Sequence, residues 1–177
     1  DDHTTIAELA IERAKRLVEL GHDVVVLFDS LTRLARAYQQ SIGGTSRGGS
    51  DTAWVHPTKK LFGAARNVDG GGSLTILGTL VTGTGLAVDD VVASEISSTA
   101  TWELRLDAGC ASSRMFPAVD IAATRTKRDD LLLASDEAAA IAGIRKSMGS
   151  LDTSAALTVA LEAMKKSSSN VEFLVAM

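Results

Sequence analysis

An unbroken apolar run, Val24–Phe28, leads directly into Asp29 and then into a basic segment with helical spacing. A run of this length predicts a strand buried on both faces, which is typical of a parallel sheet covered by helices. Asp29 then follows the carboxyl end of the strand, where ligands bind in open α/β sheets. The pattern leaves two roles open. Asp29 can be an acid that positions Mg²⁺ beside nucleotide phosphates, or Asp29 or Ser30 can simply cap the next helix.

Predicted strands and helices alternate along the rest of the chain. Helical spacing occurs over residues 4–20, about 31–40, 58–67, 89–97, 155–164 and from 135 onward. Further strands are predicted over residues 73–80, 101–106 and 119–121. Two glycine-bearing loops, residues 41–52 and 82–88, interrupt these elements. The alternation predicts an α/β fold, with a mostly parallel sheet flanked by helices and a C-terminal helical segment.

Composition narrows the class of protein. The 177 residues are enough for one domain with a sizeable core, and the formal charge of -4 provides no bulk basic field for nucleic acid. The single cysteine, Cys110, excludes a disulfide framework or a cysteine-rich zinc site and suits a reducing cytoplasm. No apolar run reaches membrane-spanning length. Because the chain opens on Asp1 and not on Met, we expect a fragment of a longer protein.

Candidate chemistry is confined to a few charged groups. No Gly-x-x-x-x-Gly-Lys-Ser/Thr loop, which would cradle nucleotide phosphates, occurs in the chain. Arg33 and Arg36 lie three residues apart on one predicted helix face, which is either solvated or part of a site. The other candidates are Asp29, the loop Arg47–Asp51, and the basic residues Arg114, Arg125, Lys127 and Arg128. This basic group is either ordinary surface or a source of an arginine that projects into a neighbouring subunit's phosphate site.

Five segments of the chain match a known family in order: His3–Arg16, Phe28–Tyr38, Lys59–Thr75, Arg114–Asp120 and the tail Ser-Asn-Val-Glu-Phe-Leu at 169–174. They resemble the C-terminal ATPase half of the bacterial transcription termination factor Rho family. The Asp-Ser-x-Thr-Arg element is shared with rotary and flagellar-export ATPases. The Phe-Gly-Ala-Ala-Arg-Asn segment is far more specific to Rho.

The resemblance implies a RecA-like P-loop NTPase core that uses ATP and Mg²⁺. It implies an RNA-dependent ATPase and 5′-to-3′ RNA–DNA helicase that terminates transcription as a homo-hexameric ring. RNA is then the direct partner, RNA polymerase and the transcription complex are indirect ones, no membrane is involved, and the location is cytoplasmic. We expect residues 1–133 to be the C-terminal portion of the ATP-binding domain and residues 134–177 to be a helical subdomain.

The resemblance also implies roles for individual residues of the nucleotide site. Asp29 matches the Walker B acid, which holds Mg²⁺ through water, and Phe116 matches the aromatic residue that packs on adenine. Arg114 matches an arginine near the inter-subunit nucleotide site. The arginine-finger position falls on Lys127, and a one-residue slip would place Arg128 there. Lysine is not equivalent to arginine at a bidentate phosphate site.

Two loops match the RNA-contacting loops of the ring's central channel. The first comprises Arg47, Gly48, Gly49, Ser50 and Asp51, and the second comprises Gly83, Thr84 and Gly85 within Gly83–Val88. Such loops can grip the RNA backbone and 2′-hydroxyls without reading sequence. Where the family's second loop usually carries a lysine, this chain has Ala87.

Two other functions remain open. The chain can be a fragment of a flagellar, type III export or rotary ATPase, which would not act on RNA. It can also be a catalytically degenerate paralogue that binds RNA without turnover, as Ala87 and Lys127 suggest. Under all three interpretations the chain alone lacks the phosphate-binding loop, so we expect no ATPase activity from it.

Overall fold

The computed structural model describes residues 2–41 and 52–176, so the loop predicted over 41–52 lies almost entirely outside it. The chain forms two compact units, residues 1–100 and 101–177. This division precedes the domain boundary that we expected between residues 133 and 134. The assignment of 1–133 to an ATP-binding domain and of 134–177 to a helical subdomain stays a prediction.

The first unit contains four α-helices and three strands among its described residues. In chain order they are α1 (Asp2–Glu19), β1 (Val24–Phe28), α2 (Leu31–Ser41), α3 (His56–Phe62), β2 (Arg66–Asn67), β3 (Ser73–Gly78) and α4 (Ala87–Thr99). Strand β1 has the predicted bounds. The helix predicted over 58–67 ends early, because Gly63 follows Phe62 and the chain turns into β2.

The three strands form a small mixed sheet in the order β1-β3-β2. Strand β1 pairs with β3 in parallel, with Val26 beside Ile76, and β2 pairs with β3 in antiparallel fashion. One face carries Leu74 and Ile76, which are buried against Ile11 and Val18 of α1. A second cluster joins α2 to α4 through Leu31, Ala35, Val92 and Ile96, among others.

The prediction that β1 is buried on both faces is wrong for the described chain. Val25 is 62% exposed and Leu27 is 74% exposed. Their parallel partners Thr75 and Leu77 are exposed too, and Leu77 reaches 46%. Alternate residues of a strand point to opposite faces, so one face of the sheet is packed and the other is bare.

Gly78, the last residue of β3, allows helix α2 to approach the sheet closely. A Cβ atom at Gly78 would collide with the Leu31 side chain, which is fully buried at the start of α2. A larger residue there would force the first turn of α2 away from the strand ends. The close approach therefore sets where the helix begins relative to Asp29.

The second unit contains four α-helices and two short strands among its described residues. They are β4 (Trp102–Glu103), α5 (Ala108–Ser112), β5 (Arg125–Thr126), α6 (Ser135–Met148), α7 (Thr153–Lys166) and α8 (Asn170–Ala176). The strand predicted over 101–106 is reduced to β4, which pairs with β5 in antiparallel fashion. The strand predicted over 119–121 is reduced to one bridge between Leu106 and Val119.

A helical core holds the second unit together. Ile144 and Met148 of α6 pack with Ala156 and Ala160 of α7. Helix α7 begins earlier than predicted because the Asp152 carboxylate caps it by accepting the Ala155 N–H at 2.8 Å. None of the described helices combines the length and apolar character needed to cross a membrane.

Thr58 provides a test of the core of the first unit. Its side chain on α3 is fully buried, and within residues 2–41 and 52–176 its hydroxyl has no hydrogen-bond partner. Because an unpaired buried hydroxyl is destabilising, we expect Thr58→Val to raise the free energy of unfolding by about 1 kcal/mol. Urea unfolding of the two proteins measures the difference.

The control is Thr58→Ser, which keeps the hydroxyl and removes the methyl group, so it should lower the stability. A Thr58→Val protein that unfolds at a lower urea concentration than the wild type would show that the hydroxyl is satisfied.

Candidate functional site

The predicted site residues belong to both units. Asp29 and the Gly83–Gly85 turn belong to the first unit. The second unit carries Arg114, Phe116, Lys127 and Arg128. The first predicted RNA loop, Arg47–Asp51, lies outside the described residues.

Asp29 follows β1, and its carboxylate is not the cap of α2. Ser30 takes that role, because its hydroxyl oxygen accepts the Arg33 N–H at 3.3 Å. The exposed Asp29 carboxylate instead accepts a hydrogen bond from the Thr79 hydroxyl, at 2.8 Å. Within the described chain only this bond engages it. Of the two candidate caps, the structure therefore selects Ser30, and the metal role of Asp29 stays a prediction.

Thr79 is held beside Asp29 by backbone hydrogen bonds. Its N–H donates to the Phe28 carbonyl at 2.9 Å, and its own carbonyl accepts the Leu31 N–H at 3.0 Å. The end of β3 is therefore attached to both sides of Asp29. Thr79 was not among the predicted site residues, although its position just after the second apolar run was a usable signal, since parallel strands end at the same edge of a sheet.

The oxygen donors around Asp29 fit Mg²⁺. This cation prefers oxygen ligands, keeps several waters, and is commonly bound through one or two carboxylates together with substrate phosphates. Asp29 offers an exposed carboxylate at a strand end, with the Thr79 hydroxyl beside it. A cation bound there through water would therefore meet ligands of its preferred class.

The second predicted loop is a tight turn that leads into α4. Gly83 and Gly85 have φ angles of 70° and 74°, in the left-handed region that favours glycine. Thr84 lies between them, and its hydroxyl donates to Asp89 at 2.7 Å. Helix α4 then begins at Ala87, two residues before the predicted start.

Arg36 and Asp89 form the main ion pair of the first unit. The Arg36 guanidinium contacts both Asp89 oxygens at 2.6 Å from Nη2 and one of them at 3.0 Å from Nε. Asp89 is completely buried, whereas Arg36 is partly exposed. The Arg36 guanidinium, and after it the Thr84 hydroxyl, hold the pKa of Asp89 below its usual range.

Arg33 and Arg36 both lie on α2, as the sequence predicted, but they differ in exposure and in partner. Arg33 is exposed, as expected for a solvated face. Arg36 is bound to Asp89, a partner that was not predicted from the sequence. Two acidic residues, Asp89 and Asp90, interrupt the otherwise aliphatic stretch Leu86–Val92, and this was the available signal, because a buried carboxylate requires a partner.

Arg114 occupies an unusual backbone position at the end of α5. Its φ is +57°, the only positive value among the described non-glycine residues. The Arg114 N–H donates to Ala111 at 3.0 Å and the Met115 N–H donates to Cys110 at 2.9 Å. These two bonds form the Schellman motif that usually places glycine where Arg114 stands.

The start of α5 is also well anchored. The Asp107 carboxylate accepts the Cys110 N–H at 2.6 Å, and this bond lowers the pKa of Asp107. Burial raises the pKa of the Cys110 thiol. A short helix that is fixed at both ends therefore presents Arg114, whose exposed side chain makes no ion pair within the described residues.

Phe116 and the basic run lie further along the second unit. Phe116 is 66% exposed, which is unusual for a large apolar ring. Arg125 pairs at 2.9 Å with Glu103, whose side chain is mostly buried. Arg128 forms a two-pronged pair with Asp130, with both contacts at 2.9 Å. The exposed Lys127 is attached through its N–H to the Thr101 carbonyl.

Comparison with known proteins agrees with this geometry. A family model described as the ATP synthase alpha/beta family, nucleotide-binding domain, matches residues 2–125. The chain belongs to this family. The α/β P-loop NTPase fold predicted from the sequence is thereby confirmed.

Individual named relatives define a narrower group than the family model does. The chain is 51% identical to transcription termination factor Rho of Streptomyces lividans over 99% of its length, and 49% identical to Rho of Micrococcus luteus over 98%. It is 45% identical to Rho of Borreliella burgdorferi over 97%. The predicted resemblance to Rho is confirmed. The chain covers only 25%, 26% and 34% of these three proteins.

Solved structures extend the family relationship at the level of fold. A prototypical ATPase from the type III secretion system of pathogenic bacteria aligns with 81% of this chain and 42% of its own, with a TM-score of 0.68 and 23% identity. The assembled ATPase EscN of enteropathogenic E. coli aligns with 95% of this chain and 47% of its own, with a TM-score of 0.69 and 20% identity. At these identities the likeness shows the fold alone.

The Arg114 backbone provides a prediction for this family member. We expect Arg114→Gly to be more stable than Arg114→Ala by about 1 kcal/mol, because glycine adopts positive φ without the Cβ penalty. Both variants lose the guanidinium, so the comparison isolates the backbone term. Urea unfolding of the two variants measures it, and equal stabilities would contradict the strain at this position.

Proposed function

We propose that this chain is the C-terminal part of the ATPase domain of a Rho-type transcription termination factor. The complete protein would be an RNA-dependent ATPase and 5′-to-3′ RNA–DNA helicase that acts as a hexameric ring. The observation that carries the proposal is the 51% identity with a Rho factor over 99% of the chain. The likeness to type III secretion ATPases is far lower in identity, at 23% and 20%.

Asp29 is the proposed metal acid of this ATPase. Its exposed carboxylate, held by Thr79 at a strand end, would hold Mg²⁺ through water. When bound, Mg²⁺ neutralises charge on the β- and γ-phosphates of ATP. Thr79 would orient the carboxylate by donating to one of its oxygens, which leaves the other oxygen available to a water molecule.

Arg114 is the proposed arginine of the inter-subunit nucleotide site, with Phe116 packed on the adenine. Arg114 can bind a phosphate without first breaking an ion pair, because its side chain makes none within the described part of the chain. Arg128 would have to exchange the Asp130 carboxylate for a phosphate. Both members of that pair are exposed, so their attraction is weak and breaking the pair requires little free energy. Lys127 or Arg128 would complete the phosphate contacts in trans.

The two glycine-bearing loops are the proposed RNA contacts. Arg47–Asp51 supplies a cation and Gly83–Gly85 supplies an exposed turn with accessible backbone. Contacts of this kind would make RNA binding salt-sensitive and independent of sequence. The remaining parts of the proposal follow from the Rho relationship: six copies in a ring, an indirect link to RNA polymerase, and action in the cytoplasm.

The rest of the nucleotide-binding domain is proposed to pack on the exposed face of the sheet. Val25, Leu27 and Leu77 expose a continuous apolar surface on adjacent parallel strands. Surfaces of this kind are normally covered by helices in parallel sheets. The relatives are roughly three to four times as long as this chain, so they contain enough sequence to supply such a cover.

A substitution of Asp29 tests the catalytic proposal in the full-length protein. We expect Asp29→Asn to lower RNA-stimulated ATP hydrolysis about a hundredfold or more, because the metal contributes several kcal/mol to stabilising the transition state. RNA binding, measured by filter retention, should be retained. The turnover rate with and without RNA is the primary measurement.

The matched control is Asp69→Asn, which changes an exposed carboxylate in a turn outside the proposed site. Full activity of Asp29→Asn would remove Asp29 from the metal site. A wild-type protein that binds RNA but does not hydrolyse ATP would favour the degenerate paralogue, which the Ala87 and Lys127 substitutions suggest.

The isolated 177-residue chain provides a second test. We expect no ATP hydrolysis from it with or without RNA, since its sequence contains no Gly-x-x-x-x-Gly-Lys-Ser/Thr loop. A phosphate-release assay at saturating ATP and Mg²⁺ measures this, with the full-length protein as the positive control. RNA-stimulated turnover by the chain alone would contradict the proposal that its phosphate-binding groups lie elsewhere.

A further inference from the structure

One face of helix α2 holds both ends of the segment that contains the Gly83–Gly85 turn. Before the turn, the Val81 N–H donates to the Thr32 hydroxyl oxygen at 3.0 Å. After it, Asp89 is bound by Arg36. Thr32 and Arg36 are four residues apart, so they lie one above the other on the same side of the helix. The turn is therefore attached to one rigid element at two points.

The same helix begins beside Asp29. The Leu31 N–H donates to the Thr79 carbonyl, and the Thr79 hydroxyl donates to Asp29. The segment 79–89 thus contacts the start of α2 through Thr79, its first turn through Val81, and its second turn through Asp89. A displacement of α2 at the Asp29 end must be followed by the turn, because every attachment is on the same helix.

The Arg36–Asp89 contact is the strongest of these attachments. Asp89 is completely buried, and both of its oxygens are engaged by the Arg36 fork and the Thr84 hydroxyl. Thr84 in turn accepts the Leu86 N–H at 3.2 Å. Charge-assisted bidentate contacts are short and directional, so they fix geometry as well as add energy.

We propose that Arg36 is a positioning residue that couples the Asp29 end of α2 to the Gly83–Gly85 turn. The inference rests on the proposed function, because it takes Asp29 as the metal acid and the turn as an RNA contact. Arg36 itself binds Asp89 and acts only through it. Its role is to make nucleotide binding and RNA binding change together.

A second ion pair on helix α4, the helix that carries Asp89, supplies a control. Lys59 on α3 contacts Glu95 of α4 at 2.9 Å, and both side chains are 33% exposed. This pair attaches α4 to α3, and it touches neither α2 nor the turn. Its removal should leave the coupling intact.

The test compares Arg36→Lys with Lys59→Met in the full-length protein. Lysine keeps a positive charge beside the buried Asp89, so folding should be retained, but it lacks the fork that fixes the carboxylate. We expect Arg36→Lys to require at least about tenfold more RNA for half-maximal stimulation of ATP hydrolysis. The KM for ATP should stay within about twofold, and deuterium exchange at residues 82–88 should be faster. Lys59→Met should match the wild type in all three.

Thr32→Val tests the other attachment without changing any charge. It removes the acceptor of the Val81 N–H, so exchange at Val81 should be faster and the RNA requirement should rise in the same direction. This variant keeps the inference testable if Arg36→Lys unfolds.

The outcomes separate this inference from the proposed function. If RNA stimulates ATP hydrolysis by Arg36→Lys and by Thr32→Val as it does in the wild type, the inference is overturned and the proposed function is not. Reduced stimulation with unchanged exchange over residues 82–88 overturns it as well. A wild-type protein whose ATP hydrolysis is not stimulated by RNA overturns the proposed function, and the inference falls with it.

Discussion

The parallel pairing of β1 with β3 is the constraint on which the first unit depends. Its register places Phe28 beside Gly78, so the next residues, Asp29 and Thr79, meet at one edge of the sheet. Gly78 leaves room for the buried Leu31, so α2 can start immediately after this edge. The acid, its threonine partner and the helix that carries Arg36 are all positioned by one strand pair.

The same sheet leaves one apolar face of the first unit uncovered among the described residues. Its packed face is covered by α1, yet Val25 and Leu27 lie largely in solvent on the other face. Each apolar side chain left exposed forgoes about 1.5–3 kcal/mol of burial energy, which is large beside the 5–15 kcal/mol that typically separates folded from unfolded states. The fold is therefore expected to gain much of its stability from whatever covers this face.

Local patterns predicted the elements of this fold better than they predicted the contacts between them. Strand β1 was predicted to the residue because its apolar run is bounded by polar positions, and the start of α2 followed from Ser30. The Arg36–Asp89 pair joins residues 53 positions apart, and no local pattern specifies such a partner. The exposure of β1 was mispredicted for a similar reason, since an apolar run indicates that a strand should be covered but not by which part of the protein.

Arg36 and Arg114 show two opposite ways of fixing an arginine. Arg36 is fixed by its guanidinium, which binds a buried carboxylate, so its charge is neutralised within the fold. Arg114 is fixed by its backbone: two hydrogen bonds hold the end of α5 at a positive φ, and the exposed guanidinium is left without an ion pair within the described residues. A residue with a strained backbone and an unpaired charge is suited to bind a ligand. A residue whose charge is neutralised within the fold is suited to hold neighbouring elements in position. The two arginines therefore support different parts of the same proposed reaction.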